Sequence, residues 1–129
     1  MPYLQLDVPA PLDAETKRRL AEAIGERYAA VMETGRHIPS ICIRDAGGGG
    51  PFRYQDGALR EVAVIMCDVR RGRDAAQRER LARDLVALIA RATQLPELQI
   101  VVEFTQHEPS EMFRYGALAP EWDSAEAEG

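Results

Sequence analysis

The chain has little with which to hold a metal ion or cross a membrane. It carries two histidines and two cysteines. His37 and His107 lie far apart, each at the edge of an apolar run, with no cysteine or carboxylate at ligand spacing, so no zinc-type site is expected. Cys42 and Cys67 sit inside apolar runs and read as buried, reduced thiols of a cytoplasmic protein; a disulfide between them is left open. No apolar run approaches the ~18 residues of a membrane span, and no basic stretch leads into a hydrophobic one near the start. Basic residues are the minority, 16 against 21 acidic for a net charge of −5, which argues against a nucleic-acid footprint.

What is present suits one soluble domain, spanning residues 1–129, with 46% hydrophobic residues. A chain of this length buries roughly 68% of its unfolded surface on folding, enough for a core without staples. Tyr3 to Val8 alternates apolar and polar, the period of a strand. Pro9 and Pro11 end it, and Asp13 is placed to cap a helix whose apolar stripe runs through Leu20, Ala23, Ile24, Tyr28, Val31 and Met32. Gly35 reads as the stop, and Ile38 to Ile43 as a second strand. Residues 46–60 read as a loop or loose hairpin, with a turn at Gln55-Asp56-Gly57. Gly47 to Gly50 lacks the Lys-Ser/Thr and the strand-to-helix context of a phosphate cradle.

The pattern then repeats. Val62 to Val69 is an apolar strand, Asp74 with Gln77 opens a second helix as a capping box, and Leu98 to Phe104 closes the copy. Pro2 falls on Ala63 and Leu12 on Arg73, a fixed offset of 61 residues, so the chain is a tandem duplication. The units are 2–46 and 62–107, joined by a Gly-rich connection, 47–61, and followed by a segment, 108–129. The fold class is α+β: two β-α-β units with right-handed crossovers form a four-stranded sheet with two helices on one face. A split ferredoxin-like order and a side-by-side pair of units both satisfy the pattern. Met112, Phe113, Tyr115 and Trp122 are expected to dock part of the final segment on a neighbouring subunit, while Asp123 to Gly129, polar and acidic, is expected to fray.

Few residues could carry chemistry. Removal of Met1 would leave Pro2 as a secondary amine, and an α-amino group titrates near neutrality, at roughly 7.7–8.0. Such an amine serves as general base or, protonated, as general acid. Arg70, Arg71 and Arg73 stand where the second strand-helix junction begins, with forks suited to carboxylates and a helix N-terminus adding positive potential. The first copy has Leu12 in place of Arg73, and duplicated halves that differ at a polar position often hold a single specialised site. Glu103 lies in an apolar strand, opposite in phase to Val102 and Phe104, and so faces solvent or a cavity.

Together these residues resemble the tautomerase superfamily: Pro2 after Met1, the strand YLQLDV, two β-α-β units, Arg70-Arg71-Gly72-Arg73, and Met112-Phe113-Arg114-Tyr115-Gly116 before Pro120. In length and layout the chain is similar to the branch of cis-3-chloroacrylic acid dehalogenase and malonate semialdehyde decarboxylase. The resemblance implies a homotrimer of β-α-β-β-α-β protomers that needs no cofactor and no metal. It implies Pro2 as the proton-transfer group and Arg70 and Arg73 as binders of a small organic acid. Arg114, Tyr28 and Glu103 are implied as further pocket members, standing where the dehalogenase has a glutamate, a histidine and a tyrosine. The expected activity is tautomerisation of a 2-oxo or unsaturated carboxylic acid. The alternatives are hydration, dehalogenation or decarboxylation within the same superfamily, or a non-catalytic trimer that binds acids.

Overall fold

The computed structural model describes residues 2–128; Met1, and with it the expected processing, lies outside the described residues, as does Gly129. Eight strands and two long helices follow in order: β1 (Tyr3–Val8), α1 (Ala14–Met32), β2 (Ser40–Asp45), β3 (Phe52–Gln55), β4 (Ala58–Glu61), β5 (Ala63–Arg70), α2 (Ala75–Thr93), β6 (Ile100–His107), β7 (Phe113–Arg114) and β8 (Ala117–Leu118). Asp13 and Asp74 cap the two helices, accepting from the Thr16 amide at 2.7 Å and the Gln77 amide at 2.8 Å. Both helices end on a left-handed residue, Glu33 and Gln94. The first helix thus stops two residues before Gly35, because Glu33 already takes the conformation that glycine was expected to supply.

The four long strands form one sheet in the order β2-β1-β5-β6. Within each unit the strands are parallel, and β1 meets β5 antiparallel. This is the side-by-side arrangement, and it excludes the split order. The duplication is exact in register. The caps are 61 apart (74 − 13), as are the helix ends (94 − 33), and Tyr3–Ser40 corresponds to Val64–Val101. Gln5 faces Met66, its own counterpart (66 − 5 = 61), so a pseudo-twofold axis passes between them.

Strand alternation sorts the side chains. Leu4, Leu6 and Val8 of β1 and Ile65, Cys67 and Val69 of β5 point into a core closed by Leu20, Ile24 and Met32 of α1 and Leu81, Leu85 and Ile89 of α2. Both thiols are free. Cys67 shares the core side with Leu4, whereas Cys42 pairs with Gln5 on the opposite side, so their shared sheet separates them. Cys42 is only half-buried, contrary to the expectation of two buried thiols, because it lies on the face the helices leave open. Burial pushes the Cys67 thiol up to about 12, which leaves it unreactive.

The stretch 46–60 holds a real hairpin: β3 pairs with β4 around Asp56 (φ 51°) and Gly57 (φ 74°), two left-handed residues as a type I′ turn requires. Elsewhere strand limits move by one to three residues; β2 begins at Ser40 rather than Ile38, where the Ser40 amide bonds the Pro2 carbonyl at 3.0 Å.

Ile65 is fully buried at the centre of this sheet. Ile65→Ala is expected to lose about 2–5 kcal/mol in urea unfolding. A loss below about 1 kcal/mol would contradict its place in the core.

Candidate functional site

The end of β5 carries the chain's most unusual burial. Arg70 is 2% exposed and Arg73 5%, although arginine is almost never fully buried unless paired. Between them Gly72 takes φ 130°, a left-handed conformation, and an added Cβ would meet the Trp122 ring at 3.0 Å. Glycine there both turns the chain and admits the indole, which lies 4.5 Å from the Arg73 guanidinium. Arg73 is fastened to the main chain: Nε donates to the Met32 carbonyl at 3.0 Å and Nη1 to the Arg70 carbonyl at 3.4 Å. Burial, with Arg70 and Arg114 nearby, lowers it to about 10, so it stays a cation at neutral pH. Arg71 is turned outward, paired with Glu108 at 3.0 Å on the surface.

Arg70 donates through Nη1 to the Pro120 carbonyl at 2.7 Å and through Nη2 to Glu126 Oε2 at 2.6 Å. Glu126 also accepts from the Thr34 hydroxyl. Burial pushes the Glu126 carboxyl up, but the hydrogen bonds from Arg70 and Thr34 outweigh it and hold the group below its ordinary range. Arg114, on β7, joins the cluster: burial and then the charge of Arg70 lower its pKa. Tyr28 reaches it from α1, fully buried; burial raises its pKa against the opposing influence of Arg73, Arg70 and Arg114.

Three polar atoms of this cluster, Tyr28 Oη, Arg70 Nε and Arg114 Nη1, are buried without a hydrogen-bond partner. Each such group costs roughly 1–3 kcal/mol if it stays unmatched. Beside them a cavity of about 320 Å³ is lined by Ile38, Arg114, Tyr115, Ala119, Pro120 and Glu126. Three cations face the single carboxylate of Glu126 among the described residues of the cluster. The arrangement therefore attracts an anion with oxygen acceptors.

The ladder between β1 and β5 ends at Tyr3–Asp68, which sets Pro2 level with Val69, one residue before Arg70. Pro2 is buried there. Of the sequence-derived candidates, the fold thus gathers Tyr28, Arg70, Arg73 and Arg114, with Pro2 at the same end of the sheet. It does not bring Glu103 to them. Glu103 pairs with Met66 on the sheet's open face and is exposed, because its neighbours Val102 and Phe104 take the core side. The final segment also departs from expectation. Instead of fraying, residues 124–128 form a short 3-10 turn, and Glu126 and Trp122 dock on this same protomer. Glu126 and Thr34 were missed: Glu126 sits in a run of alternating acid and alanine that has no apolar period, Thr34 in a loop with no motif, and their meeting at Arg70 is seen only in three dimensions. Trp122 was expected to dock, though on a neighbouring subunit.

No family model matches the chain. It is 30% identical over 118 residues to an adenine deaminase of Cupriavidus pinatubonensis, covering 90% of this chain and 32% of that protein. The chain therefore spans about a third of the length of this curated relative. Among solved structures, a member of the cis-3-chloroacrylic acid dehalogenase family superposes with a TM-score of 0.81 at 22% identity, covering 93% of this chain and 85% of that one. A fused 4-OT trimer gives 0.79 at 19%, covering 92% and 96%. A malonate semialdehyde decarboxylase inhibited by 3-bromopropiolate gives 0.74 at 15%, covering 91% and 92%. The chain has the tautomerase fold. On the tautomerase sheet, the cluster occupies the junction where β5 passes into α2, beside the start of β1.

Two outcomes follow from the unmatched donors and the buried carboxylate. Tyr28→Phe removes an unpartnered hydroxyl and is expected to leave thermal stability unchanged or raise it, by up to about 1 kcal/mol; a loss above about 2 kcal/mol would mean that the hydroxyl is satisfied in the folded chain. Glu126 titrates lower in the folded chain, so its contribution is complete above the ordinary value of 4.5 and is lost as pH falls through the folded value. Trp122 fluorescence should therefore shift as the pH is taken well below 4.5, and should not in Glu126→Gln.

Proposed function

We propose that the protein is a cofactor-independent enzyme of the tautomerase type. In this reading Pro2, freed of Met1, is the general acid/base, and its substrate is a small 2-oxo or unsaturated carboxylic acid. The observation that carries it is the set of buried arginine and tyrosine donors without partners, at the end of the sheet where β1 begins. Arg70 and Arg114 hold carboxylate or enolate oxygens through their free donors. Arg73, anchored to main-chain carbonyls, supplies fixed positive charge behind them. Preorganised cations of this kind stabilise charge that develops on oxygen during reaction.

The same cations, at the end of the sheet where Pro2 stands, disfavour the ammonium form of its amine and favour the neutral form that accepts a proton. For ketonisation of an enol, the Pro2 ammonium delivers its proton to C3, the enol hydroxyl loses its proton to solvent, and the C2 oxygen becomes a carbonyl. The reverse step takes the C3 proton back to Pro2. Arg114 beside Arg70 favours substrates with a second acidic group. Hydration, dehalogenation and decarboxylation use the same acid binding and the same amine. They are supported by the likeness to a dehalogenase-family protein and a decarboxylase.

A homotrimer is part of the proposal. Among the described residues, both long helices pack on the other face of the sheet and leave the face that carries Gln5, Met66 and Glu103 without a helix, and Phe113, Tyr115 and Leu118 are exposed beside the cavity. Fused 4-OT proteins of this fold are trimers. Light scattering should give three times the chain mass, and a monomer at micromolar concentration would contradict it.

Ketonisation of phenylenolpyruvate, followed by ultraviolet absorbance in a mass-verified chain beginning at Pro2, tests the chemistry. Pro2→Ala is expected to lose about 10²–10⁴-fold in kcat, and Arg114→Met to raise KM about tenfold with a smaller change in kcat. Equal activity in Pro2→Ala would sink the proposal. Pyruvate binding without turnover in the processed wild type would leave the acid-binding trimer as the better reading.

A further inference from the structure

The anion-binding cluster is already occupied, and the occupant belongs to the chain itself. Glu126 places Oε2 at 2.6 Å from Arg70 Nη2, joining residues 56 positions apart. Its carboxylate thus sits on the guanidinium that the proposed function assigns to the substrate. One fork edge cannot hold two carboxylates, and two carboxylates side by side repel. The Glu126 side chain is 22% exposed, so it closes the cluster from the mouth rather than lying beneath it.

The segment carrying Glu126 is held by few contacts outside itself. The bonds from the Ala125 amide to Asp123 Oδ1 at 2.8 Å and from the Glu126 amide to the Asp123 carbonyl at 2.9 Å are internal to the turn. What fastens it to the rest is the Pro120 carbonyl, accepting from Arg70 Nη1 at 2.7 Å, the indole of Trp122, on Gly72 and Arg73 with Nε1 donating to the Glu33 carbonyl at 3.1 Å, and Glu126 on Arg70 and Thr34. Most of these anchors are the residues of the cluster itself or its direct neighbours. A segment tied down by so few contacts opens at little cost, in the range where ligands act.

We propose that the C-terminal segment is a tethered competitor: Glu126 stands in for the substrate carboxylate on Arg70 and leaves when a free carboxylate takes its place. The inference rests on the acid-binding reading of the cluster above. A carboxylate on a short tether acts at an effective concentration in the millimolar range. The apparent affinity for a free acid is then reduced by the fraction of time the site stands open. The segment thereby selects against weak monocarboxylates present at low concentration and favours acids that also engage Arg114.

The test is calorimetric titration of pyruvate, and of oxaloacetate as a dicarboxylate probe, into wild type, Glu126→Gln and a chain ending at Asp123. Emission of Trp122, the chain's single tryptophan, is followed in parallel. Pyruvate is expected to bind about tenfold more tightly to both variants than to wild type, with a smaller gain for oxaloacetate. Saturating pyruvate should shift Trp122 emission in wild type and shift it less in Glu126→Gln. Equal or weaker binding to both variants, with wild type still binding, would overturn the competitor and make Glu126 a fixed part of the site. Absence of binding to all three would overturn the acid-binding reading itself and the competitor with it.

Discussion

Burying Arg70 and Arg73 at the end of a strand is the constraint around which the rest of this molecule is arranged. A guanidinium withdrawn from water needs acceptors or an anion, and the chain provides both kinds in different measure. Arg73 is matched by two main-chain carbonyls and an indole face. Arg70 is matched only in part, by the Pro120 carbonyl and Glu126, and keeps its Nε unbonded. Gly72, the first turn of α2 and the docked segment 120–126 all follow from holding these two side chains in place. The unmatched remainder is shared with the Tyr28 hydroxyl and Arg114 Nη1.

The duplication explains why there is one such site and not two. Antiparallel pairing of β1 with β5 sets the beginning of the first unit's strand against the end of the second unit's strand. At one end of the sheet Pro2 therefore lies near Arg70 and Arg73. At the pseudo-symmetric end the counterparts are Ala63, Pro9 and Leu12, which offer neither an amine nor a cation. There Asp45 is instead occupied by Lys17 at 2.8 Å and the Leu12 amide at 3.4 Å, a local tie between α1 and β2. Two halves with the same backbone thus differ in what they place at the two ends of the sheet, a buried arginine cluster at one and a surface ion pair at the other.

Most of this could be read from the chain before its fold was known, for physical reasons that differ by element. The helices and β1 were legible because amphipathic periods and Asp caps act locally. The offset of 61 was legible because duplication preserves pattern. The order β2-β1-β5-β6 was not, since nothing local distinguishes pairing at a pseudo-dyad from an interleaved sheet. Within the site, Arg70 and Arg73 were legible from the residues and Arg114 and Tyr28 from resemblance, and the fold brings all four together. Glu103 was read from strand phase as facing solvent or a cavity and lies exposed on the open face, apart from that cluster. Glu126 escaped because its partner is 56 residues away and its own surroundings in sequence are those of a solvated tail.

The central claim is that an anion held by these arginines lies within reach of the Pro2 amine. It is tested most directly by nuclear magnetic resonance of the chain beginning at Pro2, ¹⁵N-labelled at proline, titrated with and without pyruvate. The account predicts that the Pro2 nitrogen titrates below its value in the urea-unfolded chain, and that bound carboxylate, by neutralising the neighbouring cations, raises it again. A Pro2 nitrogen that titrates as in the unfolded chain and ignores saturating pyruvate would contradict it.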